Sequence, residues 1–200
     1  MHIVADWDER YSLGEHATSE PSRLLVRVAR GLAPGRALDI ACGAGRHAVF
    51  LAEHGWQVTA VDSSSVGIRL TEQRARERGV TVDARVADLE RGEFSIDPEA
   101  YDLIIIFYYL QHDLWPQIRA GVRPGGLVVA AIHLIDESAD TRPMNPAFLL
   151  QPEELRAEFS DWDIKHYHET LLQDDDPGQH QRRTAEIVAS KNGKAVDSSQ

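Results

Sequence analysis

The stretch Ala37-Leu38-Asp39-Ile40-Ala41-Cys42-Gly43-Ala44-Gly45-Arg46 carries the strongest chemical signal in this 200-residue chain. An apolar run ends in an acid, a small-residue loop with two glycines follows, and a helical pattern begins. A glycine loop at a strand-to-helix turn ordinarily cradles a phosphate, because free N–H groups and the helix dipole attract anions. A carboxylate at the mouth of that loop reverses the preference: it repels phosphate and welcomes a cation. Gly43 and Gly45 let the backbone approach a ligand, and Asp39 engages its amino group directly or through water. Taken alone, Gly43-x-Gly45-x-x-Ala48 also fits, loosely, a dinucleotide fingerprint or a turn needed only for packing.

Two further acids sharpen the reading. Asp62 ends the next apolar run, twenty-three residues after Asp39. An acid there accepts both ribose hydroxyls of an adenosyl group. The bland role is a cap on the following helix, which Ser63, Ser64 or Ser65 could fill without it. Asp88, in Val86-Ala87-Asp88-Leu89, is placed to accept from an adenine amino group with Leu89 against the ring; judged in isolation it is equally a solvated loop acid. Ligands of open α/β sheets bind at the carboxyl edge, where all three acids fall. S-adenosyl-L-methionine (SAM), with an ammonium, a sulfonium and an adenosyl group, fits the three together.

The elements that must position these residues follow from periodicity. Helical spacing marks 21–31, 46–54, 66–78, 114–120 and 152–159. Strand patterns mark 36–40, 57–61, 80–86, 101–107 and 127–134, and then 162–168 and 183–189. Residues 101–107 are almost wholly apolar, as in a strand buried on both faces. Strand and helix alternating at this spacing predict a doubly wound, mostly parallel sheet with a C-terminal antiparallel hairpin at its edge. The expectation is one domain over 1–190, with 1–20 as an N-terminal lid and 191–200 as a polar tail.

Composition narrows the partners. The net charge is −11, and no lysine- or arginine-rich cluster offsets it. That disfavours nucleic acid and anionic membrane surfaces, leaving small molecules as the expected partners. Cys42 is the single cysteine, so neither an intrachain disulfide nor a Cys-rich zinc site can form. The first ten residues hold three acids and no apolar core, unlike a signal peptide, and no apolar run is long enough to span a bilayer. A cytoplasmic location is expected.

Taken as a set, the motifs resemble those of the class I SAM-dependent methyltransferases, over roughly residues 20–190. Asp39-Ile40-Ala41-Cys42-Gly43-Ala44-Gly45 resembles the family's first motif, with Ala41 where a glycine often stands. Val61-Asp62 resembles the second and Ala87-Asp88-Leu89 the third. Residues 101–107 resemble the fourth strand motif, and Arg123-Pro124-Gly125-Gly126-Leu127 the turn before the fifth strand. The resemblance implies a Rossmann-like seven-stranded fold, SAM as cofactor, and a cofactor site of Asp39, Ala41, Gly43, Gly45, Asp62, Ser63, Asp88, Leu89 and Phe107. Within the family the chain is most similar to the small tellurite-resistance-type methyltransferases. Trp7-Asp8-Glu9-Arg10-Tyr11, Ala41-Cys42-Gly43-Ala44-Gly45-Arg46-His47 and Phe107-Tyr108-Tyr109-Leu110-Gln111 carry that similarity. The last segment departs from the Asn/Asp-Pro-Pro-aromatic run of many nucleobase and glutamine methyltransferases, which disfavours DNA bases as acceptors.

The expected reaction is in-line methyl transfer to a small molecule. Alignment and water exclusion supply most of the acceleration, so an ionised acceptor needs no general base. His112 and Tyr108 are the catalytic candidates after the fourth strand; His112 is equally a polar residue at a helix start. Trp7 and Tyr11 form either a lid or an edge contact. His133 and Arg142 could hold an anionic acceptor, although a structural role suits His133 better. His166 and His168 read as an exposed strand face rather than a metal site, and Asp174, Asp175 and Asp176 as a solvated turn rather than a calcium loop. Two other readings remain: a nicotinamide-dependent oxidoreductase, which Asp39 opposes, and a non-catalytic binder of SAM or S-adenosylhomocysteine.

Overall fold

Tyr101–Phe107 is apolar except at Asp102, and in the computed structural model it forms β4 at the centre of the sheet. The structure describes residues 7–14, 18–135, 144–171 and 183–193. Around β4 lie β1 (Arg36–Ile40), β2 (Gln57–Asp62), β3 (Asp83–Val86), β5 (Val122–His133), β6 (Asp163–Leu171) and β7 (Arg183–Ser190). The seven-stranded order is β3-β2-β1-β4-β5-β7-β6. The first five strands pair in parallel; β7 runs antiparallel to both β5 and β6. The expected parallel sheet with an antiparallel C-terminal hairpin is therefore present.

The period-two alternation of β4 sends Ile104 and Ile106 to one core and Leu103, Ile105 and Phe107 to the other. α2 (Arg23–Ala29), α3 (Arg46–Glu53) and α4 (Ser65–Glu77) cover the second core through Leu24, Leu25, Ala48, Leu51 and Ile68. α5 (Trp115–Gly121) and α6 (Glu154–Glu158) cover the first through Trp115, Ile118 and Leu155. Asp102 is the polar exception in β4. It accepts from the Arg36 backbone N–H at 2.7 Å and pairs with Arg123 at 3.1 Å, locking the sheet's amino edge.

Several boundaries differ from the periodicity, and at β3 and β5 the local reason is visible. β3 begins at Asp83 rather than 80, because the Val80 N–H closes the end of α4 by donating to the Ala75 carbonyl at 2.9 Å. β5 begins at Val122 because the Arg123–Gly126 turn is absorbed into the ladder as an offset: Tyr101 faces Val122, but Leu103 faces Leu127. Gly125 and Gly126 there exchange backbone bonds with Lys191. Residues 7–12, without a helical signal, form α1 (Trp7–Ser12), which buries no side chain. Among the described residues no helix is long and apolar enough to cross a membrane. Arg142, Asp174, Asp175 and Asp176 lie outside the described residues.

Candidate functional site

The loop after β1 holds three left-handed residues in five: Ala41 at φ 54°, Gly43 at φ 57° and Gly45 at φ 74°. Glycine adopts this region freely, whereas an L-residue such as Ala41 strains there by about 1–2 kcal/mol. Close contacts explain the two glycines. A Cβ on Gly43 would overlap the Tyr11 hydroxyl, and one on Gly45 would overlap the Thr71 side chain at 2.5 Å. The space beside each glycine is thus occupied by the protein's own groups.

Asp39 lies at the carboxyl end of β1 and is 1% exposed. Its carboxylate accepts the Ala48 backbone N–H in the first turn of α3, and its Oδ2 has no hydrogen-bond partner. Burial, then the nearby Asp62 charge, pushes its pKa up to about 8; Arg46 and the Ala48 bond pull the other way. An unpartnered buried carboxylate oxygen costs about 1–3 kcal/mol or stays protonated, so this atom favours a cation.

Asp62, at the end of β2, is also buried. Its two oxygens accept the Gly43 and Ser64 backbone N–H groups, each at 2.8 Å. Burial raises its pKa against both bonds. Each oxygen retains a lone pair for a further donor. Ser64 caps α4 by accepting from Gly67 N–H, while Ser63 is exposed. Asp8 of α1 reaches the same helix start, accepting from the Ser64 and Ser65 hydroxyls at 2.6 and 3.1 Å and from Val66 N–H at 3.1 Å. These bonds hold Asp8 below the usual carboxylate range. They fasten α1 so that the Tyr11 hydroxyl lies over Gly43 and within electrostatic reach of Asp62 and Asp39.

Asp88 turns back on its own loop, accepting from Glu90 N–H at 3.0 Å and pairing with Arg91 at 3.2 Å. The buried Leu89 accepts from Gln111 through its carbonyl at 3.3 Å, and Gln111 accepts from the Tyr109 hydroxyl at 2.6 Å. Tyr109 feels the charges of Asp88 and Asp62, so the third acid belongs to the same edge.

Phe107 ends β4 with its ring 4.1 Å from the His47 ring. His47 is buried, its Nε2 has no partner, and burial keeps the imidazole neutral. Tyr108 follows at φ 61°, an uncommon conformation for a bulky residue. Its N–H is held by the Ala131 carbonyl at 2.7 Å, the Arg46 guanidinium lies 5.9 Å from its ring, and the His133 ring lies 5.0 Å away. His133 is buried against Thr184 at 3.3 Å. His112 stands apart from this group: it is exposed and pairs with Glu154 of α6 at 2.6 Å. His166 pairs with Glu186 and His168 is exposed. Burial holds the Cys42 thiol protonated.

Asp39, Gly43, Gly45, Asp62 and Tyr11 thus form one cluster. Asp88 and Leu89 flank it in the loop after β3, and Ala41, Phe107 and Tyr108 line the ends of β1 and β4. Sequence reasoning missed Asp8, His47 and Thr71 as site residues. A signal existed for Thr71: it is the polar member of the buried stripe Gly67, Ile68, Thr71 and Ala75 on a charged helix.

The chain is similar to several known proteins. Hemagglutinin 1 of Eikenella corrodens is 27% identical over 163 residues, covering 78% of this chain and 53% of that protein. The probable S-adenosyl-L-methionine-dependent methyltransferase TehB of Haemophilus influenzae is 25% identical over 156 residues, covering 74% and 52%. The chain spans about half the length of these curated relatives. The crystal structure of TehB from Haemophilus influenzae superposes with a TM-score of 0.74 at 19% identity, over 92% of this chain and 67% of that one, and so shares the fold. The tellurite resistance protein TehB family matches residues 7–183, and the chain belongs to that family.

Proposed function

We propose that this protein binds SAM and transfers its methyl group to a small-molecule acceptor. The observation that carries the reading is the unpartnered Oδ2 of Asp39, buried near a second acid at the carboxyl edge of the sheet. That environment fits an ammonium and opposes a pyrophosphate, which separates this site from a nicotinamide site.

Asp39 would hold the ammonium, and Asp62, through its remaining lone pairs, the ribose hydroxyls. Asp88 and Leu89 would meet the adenine, while Ala41, Gly43, Gly45, Ser63 and Phe107 would border the cofactor. When bound, SAM supplies an electrophilic methyl group. The chain's own task is then to orient the acceptor and exclude water. Tyr108, set by its left-handed backbone beside Arg46 and His133, is the residue we assign to the acceptor side. The pairing of His112 with Glu154 favours Tyr108 over His112 for that role. Net charge and the Phe107–Leu110 segment support a small acceptor rather than nucleic acid, and composition supports a cytoplasmic location.

Calorimetry with SAM, S-adenosylhomocysteine and NAD tests the cofactor. Either adenosyl ligand should bind more tightly than NAD, and the reverse order would reject the reading. Radiolabelled SAM incubated with a metabolite pool tests transfer. Label retained wholly on SAM would leave a binding protein instead of an enzyme.

A further inference from the structure

Helix α4 presents a set of groups to the glycine loop that the cofactor reading leaves without a role. Gly67, Thr71 and Arg74 fall on one face, at spacings of four and three. Gly67 lets the helix close on the loop: a Cβ there would sit 2.9 Å from the Gly43 carbonyl oxygen. The Thr71 hydroxyl lies 3.1 Å from that same oxygen. The Arg74 Nη1 donates to the next carbonyl, Ala44, at 2.7 Å, and to the Thr18 carbonyl at 3.0 Å. Two consecutive loop carbonyls are therefore held by two side chains one turn apart.

Hydrogen-bond supply decides which contact of Thr71 matters. A hydroxyl has one proton, and Thr71 has two acceptors at 3.1 Å, Gly43 O and Gly67 O. Gly67 O lies four residues back in α4, where the helix's own N–H ladder serves it. Gly43 O lies in a buried loop where its other donor is the Cys42 thiol at 3.7 Å, a weak one, so the Thr71 proton is worth more there. Thr71 itself is fully buried and packs against the Cα of Gly45.

Resting on the SAM reading above, we infer that Thr71 and Arg74 are positioning residues that fix the peptide planes of Gly43 and Ala44 and so set cofactor affinity. With both carbonyls drawn toward α4, the 43–45 loop cannot rotate. The Gly43 N–H stays on Asp62, and Asp62 keeps its orientation. Arg74 also ties the same loop to Thr18, in the segment that follows the Tyr11-bearing helix.

The test is S-adenosylhomocysteine binding by calorimetry, with melting temperature measured alongside, for wild type, Thr71→Ser, Thr71→Val and Arg74→Met. Thr71→Ser keeps the donor and loses a methyl; Thr71→Val keeps the shape and loses the donor. A positioning role predicts that Thr71→Ser binds within about twofold of wild type and that Thr71→Val weakens about tenfold, as a buried carbonyl loses its hydroxyl donor and keeps only the weak Cys42 thiol. A residue that merely fills space gives the opposite order, and that order overturns the inference. Arg74→Met, at a half-buried site that keeps its stem, should also weaken binding about tenfold. It carries the test if Thr71→Val does not fold. Wild-type affinity in a folded Thr71→Val or Arg74→Met variant overturns the inference while leaving the cofactor reading intact. Wild-type protein that binds no S-adenosylhomocysteine overturns both.

Discussion

Binding of an ammonium at Asp39 should release a proton. Burial and the neighbouring Asp62 push the Asp39 carboxyl up to about 8. At pH 7, about nine in ten ligand-free molecules then carry Asp39 protonated, and at pH 9 about one in ten do. A cationic partner requires the ionised form. Complex formation at pH 7 therefore expels about one proton, and the share of affinity due to Asp39 rises about fivefold between pH 7 and pH 8, above which the ligand's own amino group begins to lose its charge. Titration with S-adenosylhomocysteine at pH 7, in phosphate and in Tris, measures the count as the slope of observed enthalpy against buffer ionisation enthalpy. The Asp39→Asn variant keeps the shape of the side chain and cannot ionise. It should release no proton and bind at least about tenfold more weakly, having lost a charged hydrogen-bond acceptor. A wild-type slope of zero, or the same slope in the variant, refutes the assignment of Asp39 to the ammonium.

Stability should move the other way. A carboxyl with a raised folded pKa contributes stability that is present below the unfolded value of 3.8 and is lost as pH rises toward about 8. Ligand-free Asp39→Asn should therefore melt above wild type at pH 9, with the gap closing by pH 4; a gap independent of pH contradicts this. Ala41→Gly relieves a left-handed alanine and should add about 1 kcal/mol, read as a melting temperature a few degrees higher; a lower one would show that the methyl group's packing outweighs the strain. Asp62→Ala removes the acceptor of two backbone N–H groups and should lose about 2 kcal/mol of stability, with more than about tenfold weaker cofactor binding. Unchanged affinity in the folded variant would count against its ribose role.

The parts of the fold governed by local chemistry were legible. β1 and β4 have the bounds their patterns predict, and the antiparallel hairpin follows from two alternating segments. The parts governed by contacts between distant segments were not. Nothing within Trp7–Ser12 specifies a helix; its position comes from Asp8 meeting the start of α4, fifty-six residues away. Val80 has the residue type of a strand but serves the helix end before it. The glycines were readable as a turn between β1 and α3. That Tyr11 and Thr71 fill the space beside them depends on elements far apart in sequence. The unpartnered state of Asp39 Oδ2 and His47 Nε2 is likewise a property of the assembled core.

Among the described residues, the order of the strands in the sheet departs from their order in sequence. β7 is inserted between β5 and β6, and each pairs with it alone on that side. During synthesis the far edge of β5 has no neighbour, and β6 has nothing to join, until residues 183–190 leave the ribosome. A nascent chain stalled before that point would display residues 127–133 as an open, apolar template for pairing with other chains. Synthesis of residues 183–190 is therefore the event that closes the β5 edge and gives β6 its partner.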